Sequence, residues 1–315
     1  MQNLPAPAGV RDTPRPDAIR MRVLSLGDGV KPTTLALMAA HGEVGPMPDC
    51  AIFSDTGWEP TAVYAHLAWL MSPNVLPFPV HIVSAGNIRD DLIAGAQGAR
   101  WASIPAFTRN VTPAGTAMPV FDEDDDGELV RVGERILPTD RIDVGMIRRQ
   151  CTKDYKIVPI RRKVRALVGL TGRRSPNTPI VEQWIGISLD EAIRMKPSFE
   201  DWQVNRWPLI EQRLSRQDCL RWLTRRDYPI PPKSACIGCP FHSDAHWRRM
   251  RDHDPEAWAD AVSVDRAIRT GFRGIHGDVF LHRSAVPLDE ADLSIASDHG
   301  QLDLWPNECE GMCGV

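Results

Sequence analysis

The chain has 315 residues, of which 43% are hydrophobic and 25% are charged, and this composition is typical of a globular protein with a sizeable core. Its net charge of −4 argues against a general attraction to nucleic acid or to an anionic membrane surface. No run of about 18 apolar residues is present, which excludes a transmembrane helix of the usual kind.

The chain is predicted to begin with a disordered leader and to continue in two folded parts. Residues 1–20 are rich in proline and lack the apolar stretch of a secretory signal. Residues 21–230 are predicted to form an α/β nucleotide-binding domain, interrupted at residues 95–143 by a long loop of weak periodicity. A shift toward proline and cysteine then marks a C-terminal lobe and tail, residues 231–315.

The α/β domain starts with a strand, a turn and a helix that together predict an anion site. Residues 21–26 form a short apolar run typical of a strand, and residues 33–41 have the apolar spacing of a helix. The glycine-containing turn between them places unbonded backbone N–H groups beside the positive end of the helix dipole, which favours a phosphate group. The residues predicted to bind it are Ser25, Leu26, Gly27, Asp28, Gly29, Val30, Lys31, Pro32 and Thr33.

A second strand, turn and helix repeat this plan. Residues 51–54 are typical of a buried strand, Asp55, Thr56 and Gly57 form a polar turn, and a helix follows. Adjacent strands that end in polar turns form the crevice in which open α/β sheets bind nucleotides. We therefore expect Ser54 and the three turn residues to form the other wall of the nucleotide site.

The later elements complete the prediction of an open, mostly parallel twisted sheet with helices on both faces. In chain order, the periodicity predicts a strand at residues 79–84, a helix at 87–94, a basic amphipathic helix at 154–170, a strand at 180–186, a helix carrying Cys219, and one or two helices at 245–269. The acidic run at residues 122–126 is interpreted as the solvated tip of the long loop. The basic run at residues 161–163 is interpreted as a solvated helix face.

Five segments follow one another in a recognisable order: SDTGWEPT at 54–61, QCTKDYKIVPI at 150–160, GISLDEAIR at 186–194, WPLIE at 207–211 with RQD at 216–218 and Trp222, and NECEG at 307–311. They resemble the DTG-x-x-x-ET, C-x-x-x-K-V-x-P-L, G-x-R-x-x-E-S-x-x-R, P-L-x-x-W-T-x-x-D-V-W and E-C-G segments of phosphoadenylylsulfate (PAPS) reductases, although the third lacks its first arginine. These reductases belong, with the N-type ATP pyrophosphatases, to the adenine-nucleotide α-hydrolase superfamily. The resemblance covers residues 21–315.

The first loop departs most from the family pattern. The family's pyrophosphate loop reads S-G-G-x-D-S-T, and of residues 27–33 only Gly29 and Thr33 match it. Asp28 adds a negative charge where a phosphate should lie. Lys31 replaces an acid, so we expect it to hold a phosphate as a point charge and to compensate for Asp28. The alternative is a loop that has been crippled or repurposed.

The resemblance implies a Rossmann-like fold that binds an adenine nucleotide, either ATP or PAPS, together with Mg²⁺. It adds Gly186, Ser188, Asp190 and Arg194 to the predicted nucleotide-binding residues. Lys31 and Arg194 are then expected to be catalytic, because they would stabilise the charge that develops at the phosphates. The C-terminal tail is expected to supply a nucleophile, Cys309.

The seven cysteines predict metal binding or reactive thiols, because a chain without an export signal is expected in the reducing cytoplasm. Cys236 and Cys239 are two residues apart and precede a proline, a spacing found in zinc and iron–sulfur sites. Cys151 lies in a segment where the resembling family ligates a [4Fe–4S] cluster, so the resemblance favours a cluster, with structural zinc as the alternative. The candidates for the fourth ligand are Cys313, Cys309 and Cys219.

The resemblance leaves three functions open. In the first, the chain cleaves ATP at the α-phosphate, giving AMP or an adenylyl intermediate plus pyrophosphate, in a reaction linked to sulfur chemistry. In the second, it reduces PAPS or adenylylsulfate, with the Cys309 thiolate attacking the sulfonate sulfur and sulfite leaving. In the third, it is a non-catalytic nucleotide-binding accessory protein of a mobile-element or CRISPR-type system. The expected partners are the adenine nucleotide and a thiol donor or thioredoxin-like protein; a nucleic-acid acceptor and a homodimer are left open.

Overall fold

The computed structural model describes residues 18–99, 104–124, 126–295 and 298. The strands in chain order are β1 (Met21–Leu26), β2 (Cys50–Asp55), β3 (Val80–Ser84), β4 (Phe107–Thr112), β5 (Ala117–Glu123), β6 (Leu129–Ile136), β7 (Arg141–Met146), β8 (Val181–Ile185), β9 (Gln203–Arg206) and β10 (Asp278–Phe280). The α-helices are α1 (Val30–Ala40), α2 (Thr61–Leu70), α3 (Ile88–Ala96), α4 (Val158–Leu167), α5 (Pro208–Glu211), α6 (Arg216–Arg225), α7 (Asp244–His253) and α8 (Pro255–Ala267). A π-helical turn, Thr152–Ile157, precedes α4, and a 3₁₀ helix, Leu189–Arg194, follows β8. None of the helices described here combines the length and the apolar character needed to cross a membrane.

The described residues form two compact units, each built from two separate stretches of chain. The first unit contains the residues up to Ile88 together with Thr152–Cys236, and the second contains Arg89–Cys151 together with the residues from Ile237 onward. The sequence prediction had kept residues 21–230 together as one domain. In the structure, the segment that follows β3 groups instead with the C-terminal helices.

The first unit is built on a five-stranded parallel sheet. Its strand order is β3-β2-β1-β8-β9, and all four neighbouring pairs are parallel. The chain runs from β1 outward through β2 to β3 and then returns to the opposite side of β1 as β8. This reversal of direction makes a topological switch point between β1 and β8, and in open α/β sheets ligands bind at such a point. The sheet confirms the predicted open α/β architecture.

Helices cover both faces of this sheet because the strands are apolar on both sides. Leu24 and Phe53 point into a core shared with α1, α2 and α6. Their neighbours Val23 and Ile52 point the other way, into a core shared with α4. Each such buried side chain contributes about 1.5–3 kcal/mol, so both helical layers stabilise the sheet. Continuous apolar runs are typical of parallel strands buried on both faces, which is why the sequence predicted them.

The second unit contains an antiparallel ribbon where the sequence predicted a long loop at residues 95–143. In this ribbon, residues 107–146, β4 pairs with β7 and β5 pairs with β6. Backbone hydrogen bonds around Leu137 join the two halves, since its N–H donates to the carbonyl of Thr116 and its carbonyl accepts from Gly115. The strands escaped prediction because β6 and β7 are exposed along their whole length. Arg141–Met146 does alternate between apolar and other residues, but the acidic run, prolines and glycines of the segment favoured a loop.

Candidate functional site

The turn between β1 and α1 presents the start of a helix at the edge of the parallel sheet. Helix α1 begins at Val30, three residues earlier than the sequence predicted, and Gly29 is its N-cap without a side-chain hydrogen bond. No acidic residue occupies the first turn of α1. The first N–H groups of a helix lack partners within it, so this end of α1 is suited to bind an anion.

A cavity of about 360 Å³ lies at this end of the sheet, within the first unit. It is lined by the last residues of β1 and β8 and by Phe53 and Ser54 of β2, which is the position that the switch point between β1 and β8 favours. The predicted site residues that line it are Ser25, Leu26, Gly27, Gly29, Lys31, Pro32, Ser54, Gly186 and Arg194. The predicted residues that are not part of its lining are Asp28, Val30, Thr33, Asp55, Thr56, Gly57, Ser188 and Asp190.

The lining of the cavity is electropositive. Its five cationic side chains belong to Lys31, Lys156, Arg161, Arg194 and Lys196, and its two carboxylates to Glu191 and Glu200. A concave surface with an excess of one charge concentrates ligands of the opposite charge, so the cavity is suited to an anion. The sequence analysis missed three of these cations, because they lie in segments that only the folded chain brings to the ends of β1 and β8.

Two of the cations are bridged by one carboxylate. The Lys31 Nζ lies 2.5 Å from the Glu191 Oε2, and the Arg194 Nη1 lies 2.6 Å from the Glu191 Oε1. The carboxylate therefore stands where two cations could instead share a phosphate. Lys31 had been expected to compensate for Asp28, and its ion pair in the structure is with Glu191.

Asp28 is buried beside the cavity rather than in its wall. Its exposed fraction is 0%, and neither carboxyl oxygen has a hydrogen-bond partner among the described residues. Burial raises the pKa of the Asp28 carboxyl to about 8; the Glu59 carboxylate adds to the rise, and Lys156 opposes it. At neutral pH the side chain is mainly uncharged. The negative charge that the sequence suggested at this loop is thus largely absent.

The polar side chains of the turn after β2 form hydrogen bonds with residues close to them in the chain. One carboxylate oxygen of Asp55 accepts hydrogen bonds from the Gly57 N–H at 2.8 Å and from the Tyr64 hydroxyl at 2.9 Å. The Thr56 hydroxyl donates to the Glu59 carboxylate at 3.0 Å. These bonds fix the turn in place, and they explain why its side chains support the wall behind Ser54 rather than face the cavity.

The end of β8 touches the β1–α1 turn through a glycine. A Cβ atom built on Gly186 would lie 2.9 Å from the Cα and 3.0 Å from the backbone nitrogen of Pro32. Real Cβ atoms do not approach backbone this closely, so only glycine permits the contact. Three residues earlier, within β8, the Gln183 amide donates a hydrogen bond to the Ser25 hydroxyl of β1. Both contacts hold the β1–α1 turn against β8 and thereby shape the cavity.

The structure places one of the candidate metal ligands beside the turn after β2. The Cys236 Sγ lies 3.2 Å from the Thr56 Oγ1 and 3.7 Å from the Glu59 Oε1. Cys151 and Cys239 belong to the second unit. Over the described ranges, no group of three or more His, Cys, Asp or Glu side chains is arranged to hold a metal ion. The tail candidates, Cys309 and Cys313, lie outside the described residues, so the cluster or zinc site stays a prediction.

Cys219, the remaining ligand candidate, is a core residue. It is 0% exposed and packs in the apolar cluster that joins α1 and α6 to the sheet. Burial raises the pKa of its thiol to about 12, so the metal-binding thiolate form is strongly disfavoured.

The resemblance to PAPS reductases rests on the order of sequence motifs and stays a prediction. In the β1–α1 turn, which the sequence analysis compared with that family's pyrophosphate loop, the acid is buried and the lysine is paired. No protein-family model matches the chain, and no curated protein sequence matches it either.

Proposed function

We propose that the protein is an adenine-nucleotide-dependent enzyme that binds MgATP in this cavity and cleaves it at the α-phosphate. The products are pyrophosphate and AMP or an adenylylated acceptor, in a reaction linked to sulfur chemistry. The observation that carries the proposal is the cavity at the β1–β8 switch point, where a helix start and five cationic side chains line one space.

The lining of the cavity offers two kinds of surface that suit the two parts of a nucleotide. Lys31, Arg194 and the backbone N–H groups of the β1–α1 turn are suited to the phosphates. Leu26, Phe53 and Ile185 contribute apolar surface suited to a base. This combination of apolar walls and a few convergent polar groups is what nucleotide pockets need.

Cleavage at the α-phosphate requires stabilisation of negative charge. An acceptor oxygen or sulfur forms a bond to the α-phosphorus, the bond to the bridging oxygen breaks, and the electron pair leaves with pyrophosphate. Lys31 and Arg194 would bind this growing charge, after the nucleotide displaces the Glu191 carboxylate that holds both of them. Mg²⁺, entering with the substrate, would neutralise part of the phosphate charge.

The decisive experiment supplies labelled ATP and labelled PAPS to the full-length protein under anaerobic conditions and measures the products. Pyrophosphate from ATP supports the proposal. Sulfite from PAPS would show the reductase alternative, in which Cys309 is the nucleophile. Saturable binding of ATP without any product would identify the accessory role, and no binding of either nucleotide would contradict all three functions.

Lys31 should matter for phosphate binding. The Lys31→Ala variant is expected to bind ATP about tenfold more weakly, which corresponds to about 1.4 kcal/mol, because a cation at the helix start is lost. Calorimetry measures the change. The control is Lys153→Ala, which removes an exposed lysine that is not part of the cavity lining. Equal ATP affinity in wild type and Lys31→Ala would contradict a role for Lys31 in phosphate binding.

Glu191 should act in the opposite direction. The Glu191→Gln variant is expected to bind ATP about three- to tenfold more tightly, since the phosphates no longer have to displace a carboxylate from Lys31 and Arg194. The matched control is Glu211→Gln, which removes a carboxylate from an exposed ion pair with Arg206. An unchanged or weaker affinity in Glu191→Gln would contradict the idea that the carboxylate occupies the phosphate position.

A further inference from the structure

Phe199 places an aromatic ring at the open side of the cavity. Its exposed fraction is 95%, yet it contributes to the cavity lining, so it lies where the cavity meets solvent. The apolar walls at the strand ends, Leu26, Phe53 and Ile185, are buried. A planar ligand that rests on these walls keeps its other face toward the opening, where the Phe199 ring is.

Exposure alone does not single out Phe199. Single exposed apolar side chains are common on protein surfaces, and Ile193 in the preceding 3₁₀ helix is also 95% exposed. Ile193 is not part of the cavity lining. Phe199 differs because it borders the cavity and because its loop, residues 195–200, is held in place on both sides of it.

The loop is fixed before Phe199. The side-chain amide of Asn205, on β9, donates a hydrogen bond to the Lys196 carbonyl at 3.0 Å. Pro197 follows, and its ring holds the backbone φ angle at about −65°. Both features restrict the backbone that leads into Phe199.

The loop is also fixed after Phe199. The Glu200 N–H donates to the Ser198 hydroxyl at 3.1 Å, which closes a short turn around Phe199. The Glu200 carboxylate accepts hydrogen bonds from Arg161 at 2.6 Å and from the indole N–H of buried Trp202 at 2.8 Å. The exposed ring therefore stands on a backbone that is anchored to the core, and a loose loop does not account for its exposure.

The charges near Phe199 favour a ligand that is both anionic and aromatic. Lys196 lies three residues before Phe199 and lines the same cavity. The one carboxylate of the loop, that of Glu200, is paired with Arg161. A purely apolar ligand would not neutralise the cations, and an inorganic phosphate would leave the ring without a contact. A nucleotide satisfies both kinds of surface.

We propose that Phe199 stacks on the base of the bound nucleotide and covers the face of the base that the buried walls leave open. The inference rests on the proposed function for the identity of the ligand, and it adds the residue that favours nucleotides over inorganic polyphosphates. Every base has a π face, and stacking on an aromatic side chain is a strong source of affinity. Because the loop is anchored, the ring is in position before the ligand arrives, which lowers the entropy cost of binding.

Calorimetry with MgATP and with magnesium tripolyphosphate separates the contribution of the base from that of the phosphates. Phe199→Ala should bind ATP about ten- to a hundredfold more weakly, the loss expected for one base–aromatic stack, and should bind tripolyphosphate as wild type does. Phe199→Trp keeps a ring and should retain most of the ATP affinity. The matched control is Ile193→Ala, which removes an equally exposed side chain outside the lining and should bind both ligands like wild type.

The fluorescent analogue ethenoadenosine triphosphate reports the contact directly, because an indole that touches its ring quenches the fluorescence. The bound analogue should be dimmer in Phe199→Trp than in wild type. Ile193→Trp adds the same indole outside the cavity lining and should not add quenching. Equal quenching in the two tryptophan variants would show that the ring does not contact the base.

The results distinguish this inference from the proposed reaction. Equal ATP affinity in wild type and Phe199→Ala, or an equal loss of ATP and tripolyphosphate affinity, would overturn the stack while the reaction stands. Wild type that binds ATP more tightly than Phe199→Ala but releases no pyrophosphate would support the stack and contradict the reaction. Wild type that binds no ATP would contradict both.

Discussion

Replacing Gly186 with alanine should destabilise the protein by about 1–3 kcal/mol and lower the rate of the proposed pyrophosphate release about a hundredfold. The added Cβ would lie 2.9 Å from the Pro32 Cα. Pro32 meets it with backbone atoms, and a Cβ is fixed to its own backbone, so neither side of the contact can rotate away. The β1–α1 turn has to move relative to the end of β8. Both segments line the cavity, so the shift displaces the groups that would orient the phosphates.

Urea unfolding and pyrophosphate release, measured on the same preparation, check this expectation. Gly27→Ala is the matched control for stability, because its Cβ would meet the same proline at 3.5 Å, an ordinary contact distance. It should change the free energy of unfolding by less than about 1 kcal/mol. If Gly186→Ala unfolds and turns over like wild type, the close approach of β8 does not position the turn.

Asp28→Asn should stabilise the protein increasingly as the pH rises. The folded-state pKa of Asp28 is about 8, above the value of 3.8 for an unperturbed aspartate, so the native state binds this proton more tightly than the unfolded state. The stability that the carboxyl contributes is therefore complete below pH 3.8 and is lost as the pH rises through 8. The loss proceeds at up to about 1.4 kcal/mol per pH unit, and its total is on the order of 5 kcal/mol. Asparagine has no such proton to lose.

The measurement is the free energy of urea unfolding of both proteins at several values between about pH 5 and pH 8. The difference between Asp28→Asn and wild type should grow with pH over this window. The control is Asp49→Asn, because Asp49 is exposed and accepts a hydrogen bond from the Arg22 N–H that an amide oxygen also accepts. A difference that is constant with pH would mean that Asp28 is ionised in the folded protein.

The parallel sheet was predictable because most of its strands have a simple sequence pattern. Stretches such as Met21–Leu26 and Cys50–Asp55 are short, apolar on both faces and followed by polar turns. Strand β9, Gln203–Arg206, is short and polar and left no such mark. The ribbon was also missed, since its exposed strands do not alternate between core and solvent, and its pairing depends on contacts between distant residues.

The candidate site likewise contains residues that the sequence identified and residues that it missed. Lys31 and the glycines beside it were identified because a strand, a turn and a helix start are contiguous in sequence. Arg161 was interpreted as part of a solvated helix face, yet it lines the cavity and pairs with Glu200 at 2.6 Å. That contact joins the basic helix to a loop after β8. Hydrophobic periodicity describes one element at a time, so it could not predict a contact between two elements. The burial of Asp28 also depends on neighbours outside its own turn.

The order of the strands has a consequence for how the protein is made. Met21 of β1 pairs with Val181 of β8. The ribosome must therefore add 160 residues after Met21 before this partner of the central strand exists. At about 5–20 residues per second, a ribosome needs roughly 8–32 seconds to deliver it. Throughout that interval one edge of β1 has no strand beside it, while the whole ribbon segment emerges and can pair locally. The first unit therefore cannot complete its sheet before β8 and β9 leave the exit tunnel, and the second unit is completed later still, because its strand β10 pairs with β4.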